Sequence, residues 1–360
     1  MAGVDFARPA AAAVLASGSL LVALLLLRER RRRRGALRGE GPGAVWRCVS
    51  TSAPWAARID LKMAAYGGGV VVVAGFSGRR HSDCWWSGSG RDWACWLRDQ
   101  DSPFQRRFQH ALYVDSAGAL CLAGGEAPGW RALNDVWRLD PSQGTWTRIE
   151  DAAAWKPRCD FAAAALEDGS VFAAGGASGQ RLLDDVVWGG KAGAAARREK
   201  APWGARRGLS AVALSGNRVL VFGGRRGDGA ACQDVWCWAG GEWHSCGEAP
   251  WPARGSAAAC HIPPGSDGSG EAVVLCGGVT PAGEALQDLW VLDIEAGAAS
   301  VPDAGGWKCE CPSCPFRPRS RHALAWSSSL PGLVLCGGTG TEGAFLGDVW
   351  TCELQGRRGV

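Results

Sequence analysis

The chain is short of several things that enzymes commonly use. Among 360 residues there are two tyrosines, two methionines and five histidines. His110 and His322 each stand three residues after an arginine of a repeated pattern, and His81, His244 and His261 are scattered. A general base or a metal ligand needs partners at workable spacing, so these histidines argue against catalysis. Phosphate-cradling glycine loops, Ser-His-Asp arrangements and His-Glu-x-x-His are all absent. The two asparagines, Asn134 and Asn217, do not begin an Asn-x-Ser/Thr acceptor. The 15 cysteines are an odd number spread along the chain, not the compact framework of a small secreted domain, and both features fit a reducing compartment.

A basic field is missing too. The net charge is +4, but residues 1–40 hold eight arginines against Asp5, Glu29 and Glu40. That stretch contributes +5 (8 − 3), which leaves the other 320 residues near −1 (4 − 5). No nucleic-acid partner is expected from such a balance. From Pro9 to Leu27 the chain carries no charge, and Arg28–Arg34 follow with Glu29 among them. Nineteen helical residues rise about 28 Å, close to the hydrocarbon thickness of a bilayer. The expectation is a hydrophobic N-terminal helix over 9–27 within an anchor of residues 1–34. Its arginines would lie on the cytosolic side, giving a membrane-associated chain. A targeting segment that is cleaved, leaving a cytoplasmic or organellar protein, is the alternative. Residues 35–43 read as a flexible linker and 355–360 as a tail.

What is abundant is glycine (53) and tryptophan (20), and both recur in order. Apolar runs ending in glycine appear at Val70–Gly75, Leu120–Gly125, Val171–Gly176, Val219–Gly224, Val273–Gly278 and Leu333–Gly338. After each comes an aspartate: Asp83, Asp135, Asp185, Asp234, Asp288 and Asp348. Tryptophan stands two places further on, except in the third repeat, where Val187 fills the slot. An aromatic-x-x-Arg step precedes every run, ending in Arg58, Arg107, Arg158, Arg206, Arg254 and Arg319. Three marks in one order, six times, define a unit of about 50 residues.

Short apolar runs bounded by turn residues read as strands. Being apolar on both faces, they suit blades sandwiched between neighbours, with the glycine-bearing run innermost around a narrow centre. The last repeat ends without its fourth-strand tryptophan, and Ala44–Val49 carries one at Trp46. The N-terminal strand is therefore expected to complete the last blade and leave no open edge. In the third repeat the outer strand near 189–197 lacks its tryptophan and is expected to fray.

Through Gly-Gly, Asn134–Asp140, Thr145 with Trp146, and Trp155–Arg158, the chain resembles the kelch-repeat family over residues 44–354. The resemblance implies an all-β, six-bladed kelch β-propeller, here preceded by the hydrophobic helix. It also implies a protein-interaction scaffold. The expected partner is another protein, with no cofactor and a monomeric chain. Some kelch-type propellers are enzymes. A galactose-oxidase type of copper site needs more than Tyr66 and Tyr113. The specifier-protein iron motif is matched at Glu284 and Asp288 but broken by Leu292. A sugar isomerase of the mutarotase type, working in the central pocket, is the runner-up.

The repeat arginines and aspartates, one of each per unit, read as internal ion pairs. Cys309, Cys311 and Cys314 are a weak metal candidate, with Cys260 or His261 as a conceivable fourth ligand. Loops after the glycines differ in charge while the strands around them repeat. Arg79, Arg80, His81, Arg181, Arg225 and Arg226 are the candidate binding rim, set against Asp228, Glu284 and Glu342.

Overall fold

The computed structural model describes residues 38–40, 43–140, 144–150, 153, 155–189, 196–298 and 301–355. The hydrophobic stretch 9–27, its arginine flank and the C-terminal tail lie outside the described residues. Among the described residues no helix is long and apolar enough to cross a membrane.

Each repeat folds as a four-stranded antiparallel sheet, and six such sheets form a propeller. Blade one is Lys62–Tyr66, Gly69–Phe76, Arg80–Ser87 and Ala94–Leu97, from the axis outward. The inner strands of blades two to six are Ala111–Val114, Ala162–Ala165, Ser210–Leu214, Ala258–Ile262 and Ala323–Ser327. They meet in ring order, and the sixth returns to the first. The glycine-bearing run is therefore the second strand of each blade. The innermost strand is the alanine-rich run before it, since small side chains are what fit around a crowded axis.

Blade six is completed from the other end of the chain. Ala44–Ser50 runs antiparallel to Val349–Leu354, with Trp46 opposite Cys352. Arg38–Glu40 pairs in turn with Val45–Arg47, so part of the stretch expected to be a linker is a fifth strand. In blade three the outer strand is formed: Arg197–Lys200 pairs with Asp185–Trp188. The missing tryptophan there is offset by Glu199, which accepts from Trp188 Nε1 at 3.2 Å and from Trp243 Nε1 of the next blade at 2.9 Å.

The core is a layer between every two blades: six buried clusters, one per junction. The second strands supply its floor, as with Val70–Val73 at 0–1% exposure. Aromatic pairs close the outer part of the wedge within single repeats. Trp46 meets Phe316 edge-on at 4.9 Å, Trp146 meets Phe104 at 5.4 Å and Trp243 meets Trp203 at 4.6 Å. In blade five the long connection is held by Trp307, which stands edge-on to Trp251.

Glycine is needed where consecutive blades touch. The second glycine of each run donates its N–H to the carbonyl of the next repeat's arginine, from Gly75 to Arg107 round to Gly338 and Arg58 at 2.8 Å. At Gly125 a Cβ would lie 2.8 Å from Phe108 O, and its φ of 95° suits glycine alone. In the first repeat the register is one residue earlier than the sequence suggests, because Ala74, at φ 54°, occupies the first glycine's place.

Candidate functional site

The repeat arginines are interior. Arg58, Arg107, Arg158, Arg206, Arg254 and Arg319 are each at most 1% exposed. In five repeats the guanidinium forks onto the aspartate through both terminal nitrogens, as Arg107 does on Asp135 at 2.7 and 2.8 Å. The same nitrogen that holds one carboxylate oxygen also reaches the first glycine's carbonyl, 2.8 Å for Arg107 to Gly124 O. The tryptophan two places on completes the set, Trp137 Nε1 donating to Asp135 at 2.8 Å. Burial opposes ionisation of Asp135, Asp234 and Asp348, but the arginine hydrogen bonds overcome it and hold them below the usual carboxylate range. The third repeat departs from this pattern. Val187 stands in the tryptophan slot, Arg158 makes a single hydrogen bond to Asp185, at Oδ2 and 2.8 Å, Arg198 Nε approaches the same oxygen at 3.5 Å, and Oδ1 has no hydrogen-bond partner.

Chain direction puts the loops after the glycines and the inter-blade segments on one face, called here the loop face. Its rim differs from a free basic fringe. His81 is buried, bonded to Ser77 Oγ at 2.6 Å and to Asp99 at 3.0 Å. Arg79 lies 3.4 Å from Asp99, with its side chain 66% exposed. Arg80 is engaged by Glu126 at 2.5 Å and sits between two rings, 5.0 Å from Phe108 and 5.1 Å from Trp130. Trp130 is 75% exposed and Phe345 38% exposed. Phe76 joins them, 5.3 Å from Phe108 and 6.1 Å from Phe345. Arg181 and Arg226 are exposed, and Arg225 reaches Gly229 O and Pro281 O.

Neither metal expectation gathers a site. Cys309 is exposed on an edge strand, Cys311 and Cys314 are buried, and their thiols do not form a ligand cluster among the described residues. Cys260 turns toward Trp326, and His261 is held by Glu271 at 2.7 Å, so neither reaches them. Cys314 hydrogen-bonds the Cys311 thiol and brings it down to about 7. The group that does converge is His81, Asp83 and Asp99, within 4.8 Å of one another. Asp83 already carries Arg58 and Trp85, and Asp99 carries the Ser82 N–H at 2.7 Å, so the donor set is occupied by protein.

A second arrangement surrounds the axis on the loop face. The residues two places after the repeat arginines are Asp60, Gln109, Asp160, Gly208, Ser256 and Arg321. All six have left-handed backbone, φ 51–62°. They are joined head to tail: Asp60 N donates to Arg321 O, Arg321 to Ser256, Ser256 to Gly208, Gly208 to Asp160 and Asp160 to Gln109, at 2.8–2.9 Å. Five of the six are not glycine, and each such residue costs about 1 kcal/mol. The necklace frames the mouth of the central channel. Beneath it is a cavity of ≈ 150 Å³ reached by Lys62, His110 and His322, then one of ≈ 600 Å³ walled largely by alanine. Both histidines are buried with neither ring nitrogen partnered. Burial first, then Lys62 for His110 and Arg319 for His322, keeps both neutral, His322 down to about 3.

Asp60 is 6% exposed, and burial pushes its carboxyl from 3.8 up to about 6 although Arg321 opposes the shift. Arg321 Nε approaches Asp60 Oδ2 at 3.3 Å without hydrogen-bond alignment, and that oxygen has no hydrogen-bond partner. A carboxyl raised on folding costs nothing below its ordinary value, then progressively more as pH rises through about 6. Asp60→Asn is therefore expected to stabilise the protein by about 2 kcal/mol near pH 7.5, the gain vanishing below about pH 4. Urea denaturation at the two pH values measures this, and a variant less stable at both would refute it. The necklace escaped sequence reasoning, although one signal was present: a polar residue or glycine two places after every repeat arginine.

No family model matches the chain, and no curated protein matches it. Among solved structures it is similar to that of YjhT, at 13% identity and a TM-score of 0.63, covering 86% of this chain and 98% of that one. At that identity the likeness is one of fold, and it agrees with the six-bladed propeller.

Proposed function

We propose that this protein is a kelch-type interaction propeller whose loop face captures an acidic segment of a protein partner. The exposed Trp130, stacked over Arg80, carries the reading. Tryptophan and arginine are the side chains that most often dominate binding energy, and an exposed aromatic strip invites a partner. Glu126 and Phe108 hold the Arg80 guanidinium in place, so little is lost in ordering it on binding. Around this anchor Arg79, Arg181, Arg225 and Arg226 supply steering charge. Closure of blade six by Ala44–Ser50 belongs to the same reading, since it leaves the outer edge capped and the loop face free. So does anchoring through residues 9–27 with the propeller in the cytosol, which the uncharged run and its following arginines support.

Proximity labelling from the full chain tests it. Trp130→Ala should reduce capture of the labelled partner about thirtyfold. Reversing Arg79, Arg181, Arg225 and Arg226 to glutamate should weaken capture and flatten its salt dependence; Arg80 is left intact because it holds Glu126. Deleting residues 1–34 should remove membrane proteins from the labelled set. A partner held undiminished by both the tryptophan and the charge-reversal variants would overturn the docking face. A labelled set indifferent to the deletion would overturn the anchor.

A further inference from the structure

Between blades one and two, on the face opposite the loops, is a cavity of ≈ 750 Å³. Its walls come from Tyr66, Trp86, Trp96, Val114, Leu139 and Asp140. Trp96 is the unpaired residue of a bulge in the outer strand, between the pairs Cys84–Leu97 and Trp85–Cys95. A bulge re-aims a side chain, and here the indole lies on Trp86, 5.6 Å away and 6° from parallel. Tyr66 stands edge-on to it at 6.3 Å. Trp96 remains 42% exposed, and among the described residues no cation lies over either indole. Asp140 is the one charged residue of the described walls. Burial first, then the Asp140 and Asp115 carboxylates, push the Tyr66 hydroxyl up; Arg138 opposes them but is held by Asp115 at 3.1 Å. The aromatic wall therefore lies in a negative field.

Blades three and four show the corresponding junction filled. Trp188, like Trp86, stands three residues after its repeat aspartate, and it packs against Trp238 at 4.8 Å. Arg197, opposite Trp188 in the ladder, lays its guanidinium over Trp238 at 4.9 Å and is tied to Glu199 at 2.7 Å. In blade one the residue opposite Trp86 is Ala94. Leu139 takes the place of Trp238, four residues after the repeat aspartate, and Asp140 follows where blade four has Ala239. Trp96 thus restores the second indole and Asp140 the carboxylate. The guanidinium is what blade one does not supply.

We propose that this pocket takes an arginine side chain of a partner protein, its guanidinium against the Trp96 indole and its N–H groups donating to the Asp140 carboxylate. Arginine suits the place better than lysine because its planar, weakly hydrated head stacks on an indole while its edge still donates. At the rim, a Cβ on Gly118 or Gly144 would meet nothing within 4 Å, so a peptide backbone has room to cross. The inference does not rest on the loop-face reading: it concerns the other face, a charge of the opposite sign, and neither Trp130 nor Arg80.

Calorimetric titration of the full chain with acetyl-Ala-Arg-Ala-amide, its lysine and citrulline counterparts and n-butylguanidinium tests the proposal. The arginine peptide should bind saturably, and the lysine and citrulline peptides at least about tenfold more weakly. Butylguanidinium should bind no more tightly than the arginine peptide. Trp96→Ala and Asp140→Asn should each weaken the arginine peptide about tenfold. Ala94→Arg builds the missing guanidinium from within and should abolish binding, whereas Ala94→Gln should leave it intact. If Asp140→Asn does not fold, the exposed positions 94 and 96 carry the test. Absence of saturation by about 10 mM arginine peptide overturns the proposal. So does a lysine or citrulline peptide held as tightly, affinity unchanged in both Trp96→Ala and Asp140→Asn, or undiminished binding by Ala94→Arg. Tighter binding of butylguanidinium than of the peptide would assign the pocket to free guanidines and overturn the protein partner.

Discussion

Arg107→Met is expected to cost about 3–5 kcal/mol, enough to lower the denaturation midpoint severely or abolish folding. The substitution removes a guanidinium that is wholly buried and makes bonds to Asp135, to Gly124 O and, through Nε, to Gln105 O at 3.0 Å. It leaves Asp135 as a buried anion with only Trp137 Nε1 donating from a side chain, and leaves the Gly124 carbonyl without its donor. The pH dependence should change sign. In the parent protein the depressed Asp135 carboxyl contributes stability above its unfolded value, lost as pH falls through its lower folded value. Without Arg107, only Trp137 and Arg148 are left to oppose burial, the carboxyl rises and the variant should recover stability as the pH is lowered through the acid range. Arg158→Met should cost less, because that arginine makes one contact to its aspartate and the tryptophan is missing. Guanidinium denaturation of both variants checks the ranking. Equal losses in blades two and three would show that the fork geometry adds nothing.

The second large effect concerns the chain's first described strands. A chain beginning at residue 44 is expected to unfold cooperatively. One beginning at residue 51 should lose its cooperative transition or associate through the bared strand Val349–Leu354. Ala44–Ser50 supplies that strand's outer partner, and Trp46, fully buried against Phe316, fills the wedge between blades five and six. Losing a buried tryptophan alone costs about 3–5 kcal/mol, before any ladder hydrogen bonds are counted. What survives the cut is the inner stitching of the sixth junction, Gly338 N to Arg58 O and Asp60 N to Arg321 O, both at 2.8 Å. If these suffice, the two truncations will melt alike, and the outer strand is then a cover, not a clasp.

The sequence by itself determined the number of blades, their order and the residues that must recur in each. It could do so because the constraint is local and repeated. Every repeat has to turn between strands, approach its neighbour closely and bury an arginine with an aspartate, so the same residue types return at the same offsets. It also marked the third repeat as different, through Val187. The tertiary structure decided which strand is innermost, because the alanine-rich run is less apolar than the glycine-bearing one and only the ring shows that small volume governs the axis. It likewise decided the fate of the rim: Arg80 and His81 read as free charge in the chain, but Glu126, Asp99 and two aromatic rings, up to about 50 residues away, already hold them. The channel mouth is the extreme case. Asp60, Asp160 and Arg321 are ordinary loop residues until six repeats close into a ring, and their burial and charge arise from residues as distant as the two ends of the propeller. No local pattern can carry that information, because it is a property of closure.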